Sequence, residues 1–333
     1  MWFKKLTGFN EESPENVWEN LFIEGSHLVS KVNGKRFQFG ELETPTLDEL
    51  KREALPKEIH EDVICISEVV RDVQLLHADP ENVNALFQVA SQFNLLEMVG
   101  PEVTPERGID IYENDYTQGP ACAIACGAGT IYRNYFATVN GQTGQSFDNQ
   151  FDCLELIGKE LNNDELQLWT MRNGYALASQ SGLEVINSHL SLLSELEREA
   201  LKGKLKIGLQ WNTEVTFSEN CQLVSQAFCS ALPVAYSHVS PTHWEDFARL
   251  ILEATYEATL CAALINLKKT NCNMVYLTLV GGGAFGNSFY WITESLTKAL
   301  EKFRNTPLDV RIVSYGKSNP RIQELIADFC ATK

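Results

Sequence analysis

The stretch Val275-Tyr-Leu-Thr-Leu-Val-Gly-Gly-Gly-Ala-Phe-Gly-Asn287 constrains this chain more than any other. Val275 to Val280 are apolar, aromatic or β-branched with no breaker among them, which predicts a buried strand. Gly281, Gly282 and Gly283 then remove every Cβ from the turn that follows. Such a turn can adopt positive φ and lets backbone N–H groups approach a ligand closely. Ligands of open α/β sheets bind at the carboxyl ends of strands, where a glycine loop is suited to an anion such as phosphate. A tight strand-to-helix connection without a ligand is the other reading. The spacing is not that of a P-loop, which needs a lysine, nor of a dinucleotide fingerprint, which opens its βαβ unit.

The chain has 333 residues, enough for one large or two ordinary domains. Its 44% hydrophobic and 21% charged residues are those of a globular protein. The net charge of −17 with no basic stripe argues against nucleic acid and against anionic membranes. Any phosphate site must therefore be built locally. Nine cysteines are scattered without a Cys-x-x-Cys pair, which predicts reduced thiols and a cytoplasmic setting. The start, Met-Trp-Phe-Lys-Lys-Leu, is not read as a signal peptide, and no apolar run is expected to span a bilayer.

Residues 1–60 read as an N-terminal extension. It contains a hairpin within Val32–Phe39 turning at Asn33-Gly34, and a short helix from Thr46 to Leu55. From residue 61 strands and helices alternate. Strands are predicted at Val63–Val70, towards Ala90, at Leu205–Leu209, Thr213–Phe217, Ala231–Ala235, 275–280 and Leu308–Ser314. Helices are predicted at Pro120–Tyr135, Trp244–Leu267 (amphipathic) and Trp291–Phe303. The fold class is α/β, a mixed sheet covered by helices on both faces, with a helical insertion near 140–200.

Three further clusters could carry chemistry. Ser91, Gln92 and Asn94 end an apolar strand, where amides can orient sugar hydroxyls; Asn94 could equally cap a turn. Asp110, Glu113 and Asp115 precede a helix start at Gln118, Gly119 and Ala121. Carboxylates facing a sugar carbon can activate water, and helix N–H groups can hold phosphate; a solvated acidic loop is the alternative. Asp72, followed by Val73, lies just past a strand, where it can accept from an adenine amino group or cap a turn. His238 and His243 are too little for a zinc site, and Trp211, Trp244, Trp291 and Cys122 read as packing.

In this order the motifs resemble the macrodomain family. The match is nearest to poly(ADP-ribose) glycohydrolase-like macrodomains, with their Gly-x-Gly-Ala-Phe-Gly loop. Asp115-Tyr-Thr-Gln-Gly-Pro-Ala-Cys-Ala is similar to a bacterial group that includes an effector removing ADP-ribose from ubiquitin. The resemblance covers roughly residues 61–315. It implies that Asp72 reads adenine and that Asn94 holds the distal ribose, with Ser91 among the ligand-binding residues. Gly281, Gly282, Gly283, Ala284, Phe285, Gly286 and Asn287 would form the phosphate loop. Gly282→Val is accordingly expected to block binding. The paired glutamates of the glycohydrolase signature are absent, and Asp110, Glu113 and Asp115 stand in their place. The implied function is binding of ADP-ribose and hydrolysis of an ADP-ribosyl bond on a modified protein, as a mono-ADP-ribosylhydrolase. Asp115, then Asp110, then Glu113 are the candidate catalytic acids, with no metal and no cofactor. The alternative is a non-catalytic ADP-ribose or nucleotide-binding module. The ADP-ribosylated protein is the partner in the first reading.

Overall fold

The computed structural model describes residues 1–54 and 63–331. Leu55 and the boundary expected between residues 60 and 61 lie outside the described residues. The main sheet is built from β1 (Glu41–Glu43), β2 (Cys65–Val70), β3 (Leu86–Ala90), β4 (Gly208–Glu214), β5 (Leu223–Cys229), β6 (Met274–Leu277) and β7 (Asp309–Ser314). Its order is β1-β4-β5-β3-β6-β7-β2. β4 runs antiparallel to β1 and β5, and the remaining pairs are parallel, so the sheet is mixed as expected.

Helices cover both faces. α1 (Leu47–Ala54) packs on a long central helix. α2 (Val73–Ala78), α3 (Gln118–Ala125) and α4 (Gly127–Tyr135) form the layer on the opposite face. α5 (Gln180–Leu192) and α6 (Glu195–Gly203) join α1 around the central helix, α7 (Pro241–Thr270). α8 (Phe289–Lys302) lies against α7, and α9 (Pro320–Ala331) packs on α8 and β2.

α7 was expected to be amphipathic over Trp244–Leu267. It is instead buried at every position from Phe247 to Asn266 except the half-buried Arg249, because helices flank it and the sheet lies beneath. It is long and apolar enough to cross a membrane, which corrects the expectation of no such run; 94% of its most apolar 18-residue window is buried inside the fold.

Other departures have local causes. Thr278 to Val280 leave the strand predicted to run to 280. The Thr278 N–H donates to Gln88 Oε1 at 3.2 Å, and the Tyr256 hydroxyl of α7 donates to the Thr278 carbonyl at 2.9 Å. The same hydroxyl accepts the Val280 N–H at 3.1 Å, so long-range side chains take the groups a ladder would use. The strands expected at Leu205–Leu209 and Thr213–Phe217 are one strand, β4, irregular between Gln210 and Thr213. Ala231–Ala235 holds no strand; Leu223–Cys229 supplies β5 instead. The helix expected over Pro120–Tyr135 is broken at Cys126 (φ −115°, ψ 58°) into α3 and α4. Residues 140–200 carry hairpin strands, Trp169–Arg172 with Tyr175–Ala178, among their helices.

The N-terminal segment forms a three-stranded antiparallel sheet, Leu21–Glu24, His27–Ser30 and Arg36–Gln38. Its last turn contains Asn33-Gly34, with Gly34 at φ +68° as a turn glycine requires. The segment also shares a core with the body: Phe3, Leu6, Leu28 and Phe39 pack with Leu96, Met98, Tyr112 and Ile131. β1 joins the edge of the main sheet through β4.

Candidate functional site

β3 and β6 pair only at Val275–Leu86 and Tyr276–Phe87. Past Phe87 they separate. The chain leaves β3 towards α3 and α4 and the β4–β5 side, and leaves β6 through α8 towards β7. This is a topological switch point, where open sheets form a crevice at the strands' carboxyl ends. Two glutamines hold the split open. Gln88 bonds Thr278 N–H and donates to Thr259 Oγ1 at 2.8 Å. Gln118, at the start of α3, donates to the Gln88 carbonyl at 2.8 Å and accepts the Ala90 N–H at 2.9 Å.

Two cavities lie side by side here. The first, of about 230 Å³, is walled by Ser91, Gln92, Glu97, Asp115, Gly119, Tyr175, Tyr236 and the glycine loop. The second, of about 530 Å³, is walled by Arg71, Asp72, Val73, Asp115, Ala121, Phe217 and Tyr315. Asp115, Thr117, Gln118 and Thr278 line both, so the cavities are two lobes of one cleft.

The glycine loop forms a backbone cradle. Gly281 has φ +77° and Gly286 φ +70°. The Asn287 side chain donates to the Leu232 carbonyl at 2.8 Å and its N–H to the Gly281 carbonyl at 2.9 Å, which closes the loop. Among the described residues, the N–H groups of Gly283, Ala284 and Phe285 have no acceptor. The first N–H groups of α3, on Gln118 and Gly119, lack intrahelical partners by helix geometry. In a chain of net charge −17, these dipoles are the local donors an anion would need.

The predicted residues divide. Asp72, Val73, Ser91, Asp115, Gln118, Gly119, Ala121, Gly281, Gly283, Ala284 and Phe285 line the cleft. Asp72 caps α2 by accepting the Gln74 N–H at 2.8 Å through one oxygen. Gly282, Gly286 and Asn287 do not line it. A Cβ on Gly282 would meet Ile292 Cδ1 at 3.1 Å rather than the cavity, while one on Gly283 would enter open space. Asn94 also lies off the cleft, against expectation. It is fully buried, donates to Gln150 Oε1 at 2.8 Å and accepts the Leu96 N–H at 3.1 Å. An amide bonded on both sides is a loop brace, with little left for a sugar.

Of the three acids only Asp115 faces both lobes. Its Oδ1 accepts the Thr117 N–H at 2.9 Å, which turns the chain into α3. Asp110 is outside the cleft and pairs with Arg107 at 3.1 Å. Glu113 borders the second lobe but accepts the Trp2 backbone N–H at 3.0 Å. Glu11 braces the same loop, accepting the Asp110 N–H and the Tyr135 hydroxyl, each at 2.5 Å. Burial raises the Glu11 carboxyl to about 7 against these bonds. The N-terminal segment thus holds the acidic loop in place.

Residues not anticipated complete the first lobe. Glu97 stands in its wall at 2% exposure. Tyr175, Tyr236 and Phe285 meet there with ring centroids 5.0–5.7 Å apart, bringing together a hairpin, a loop and the glycine turn. One acid alone in Phe93-Asn-Leu-Leu-Glu-Met-Val99 is the signal that could have drawn attention to Glu97. Among the described residues no group of three or more His, Cys, Asp or Glu is placed to hold a metal.

The fold and site define a mixed α/β protein with a two-lobed cleft at its switch point, one lobe walled by the glycine loop and an aromatic cluster and the other by Asp72, Val73, Phe217 and Tyr315. No family model and no curated protein matches the sequence. The chain is similar to solved structures of poly(ADP-ribose) glycohydrolase. One is from Deinococcus radiodurans in complex with ADP-ribose (12% identity, TM-score 0.46, 87% of this chain and 92% of that one). Another is from Thermomonospora curvata (9% identity, TM-score 0.44, 95% of each chain). The latter enzyme bound to the inhibitor ADP-HPD has 10% identity and TM-score 0.42 over 96% of each chain.

Proposed function

We propose that this chain binds ADP-ribose along its two-lobed cleft and hydrolyses the bond joining ADP-ribose to a modified protein. The observation that carries the reading is the shared wall of Asp115, Thr117, Gln118 and Thr278 between a lobe containing Asp72 and a lobe containing the glycine loop. The motif order in the sequence supports the same ligand. Adenine would lie by Asp72 and Val73, under Tyr315 and Phe217. The diphosphate would take the N–H groups of the glycine loop and of the α3 start. The distal ribose would then fill the first lobe beside Ser91 and Phe285, with Asp115 near its anomeric carbon. A carboxylate there can orient water and support positive charge as the bond breaks.

The missing pair of glutamates favours removal of single ADP-ribosyl groups over cleavage of the polymer. ADP-ribosylated ubiquitin is the first conjugate to test, because Asp115 to Ala123 are similar to the group with that activity. The scattered cysteines favour a cytoplasmic site of action. One observation favours the pure binding module: Asp110 and Glu113 are both engaged within the protein, leaving Asp115 alone of the three acids in the shared wall. Titration with ADP-ribose, alongside release of ADP-ribose from conjugates linked through arginine, serine, threonine or glutamate, separates the two. Tight binding with no release from any conjugate would establish the module and overturn the hydrolase.

A further inference from the structure

The geometry points to Glu97 as the second acid of this site, the group that protonates the leaving atom of the modified residue while Asp115 orients the attacking water. This rests on the hydrolase reading and goes beyond it by naming the proton donor. Glu97 lies in the wall of the first lobe, which Asp115 also lines. Its Cγ lies beside the start of α3, where a Cβ added to Gly119 would come within 3.1 Å of it. Its Oε1 meets Arg133 Nη2 at 3.5 Å, while Oε2 is buried without a partner.

A purely structural ion pair would be built differently. Arg133 is fully buried, and a guanidinium can grip a carboxylate through two parallel bonds. Here it makes one long contact, and its own Nη1 also lacks a partner. Arg133 Nε donates instead to the Leu95 carbonyl at 3.1 Å. Leu95 sits at φ +66°, where leucine is strained. The Glu97 N–H is taken by the Tyr112 hydroxyl at 2.9 Å. The loop is thus fixed from α4 and from the 110–114 turn, while one carboxyl oxygen is left over. A buried, unbonded carboxylate oxygen is costly; a proton or a ligand atom relieves it.

Burial raises the Glu97 carboxyl to about 7, against the lowering effects of Arg133 and Tyr112. A carboxyl held there is protonated in about half of the molecules at neutrality and can give that proton up. In the step proposed, the bond from the anomeric carbon to the oxygen or nitrogen of the modified residue breaks, and its electron pair takes the Glu97 proton. Water forms the new bond to carbon, and its proton passes to Asp115. Solvent exchange returns the proton to Glu97.

The test uses the full chain, with Glu97→Gln as the variant and two substrates. One is an ADP-ribosylated protein that the wild type cleaves. The other is an ADP-ribosyl compound carrying 4-nitrophenolate, a leaving group that needs no proton. Expected is a fall in kcat of about 100-fold or more on the protein conjugate, ADP-ribose affinity within about threefold of wild type, and near-normal cleavage of the nitrophenolate. Wild-type release from the protein conjugate should also fall as pH rises through about 7, a limb absent with the nitrophenolate. Besides Arg133 and Tyr112, Cys122 lies by this carboxyl, and Asp115, Tyr175 and Tyr236 are the other titratable groups lining the same lobe. Should Glu97→Gln fail to fold, Glu97→Asp keeps the proton but withdraws it by one methylene, and the same contrast between substrates is expected. Equal losses on both substrates, or none on either, would overturn the role of Glu97 while leaving the hydrolase intact. A wild type that releases nothing removes the hydrolase reading and this inference with it.

Discussion

The Gln118 side chain donates to the Gln88 carbonyl at 2.8 Å, at the point where β3 and β6 part. One carboxamide thereby anchors a helix start to a strand that has lost its neighbour. Its oxygen accepts the Ala90 N–H two residues further on. The cleft exists because side chains, and not a ladder, satisfy those backbone groups.

Gln118→Leu should therefore destabilise the fold by about 1–3 kcal/mol, the cost of leaving buried backbone groups unpaired. Gly119→Ala should be at least as damaging, since its Cβ would fall 2.0 Å from the Ala90 carbonyl oxygen. Urea unfolding of both variants checks this. Wild-type midpoints would show that α3 is not held in this way.

In the glycine loop the two central positions should respond differently. Gly283→Val projects into open space at the cavity and should weaken ADP-ribose binding with little loss of stability. Gly282→Val presses on Ile292 and the Leu279 carbonyl, so it should cost stability first. Calorimetry paired with thermal unfolding distinguishes the outcomes. The reverse pattern would place the ligand on the other side of the loop.

Asp72→Ala should weaken adenine-containing ligands by about 1–3 kcal/mol and leave ribose 5-phosphate unaffected. It should also cost the protein about 1 kcal/mol, because the side chain caps α2. Asp72→Asn keeps a capping oxygen and isolates the binding effect. Equal weakening of both ligands would make Asp72 purely structural.

Asp115→Asn should abolish release of ADP-ribose while retaining affinity, as expected for a group acting in the transition state. Asp110→Asn and Glu113→Gln should keep turnover, since both carboxylates are held outside the shared wall. Release assays with matched binding measurements decide it. Normal turnover in Asp115→Asn would refute its assignment.

Glu68 should impose an acid limit on stability. Burial alone would raise its carboxyl, but bonds from Ser314, Ser318, the Asn319 N–H and Gln323 outweigh that and hold it near 2, below the ordinary 4.5. The folded value is depressed, so this stabilisation is complete above about 4.5 and is lost as pH falls towards 2. Glu68→Gln should lower the unfolding midpoint at pH 7 and shrink the difference between pH 7 and pH 3. An unchanged pH dependence would show that the clamp on α9 contributes little.

Local pattern in the chain was enough for several elements and for much of the cleft. The β-branched run of β7 and the apolar spacing of α8 announce themselves. The same holds for Asn33-Gly34 as a turn and for the glycines after β6, because each depends on backbone preferences that neighbouring residues set. Asp72, Asp115 and Gly283 were found at the cleft for that reason: strand ends and glycine loops have local signatures. Tertiary structure decided what those signatures leave open. Tyr256 and Gln88 ended β6 at Leu277, and an α7 enclosed along its middle could not be told from an amphipathic one by periodicity. Asn94 and Glu97 stand three residues apart, both polar in an apolar run. Gln150 and Leu96 turned the first into a brace, and Arg133 drew the second into the cavity wall. Partners 36 and 56 residues distant made that difference, and no spacing rule reaches so far along a chain.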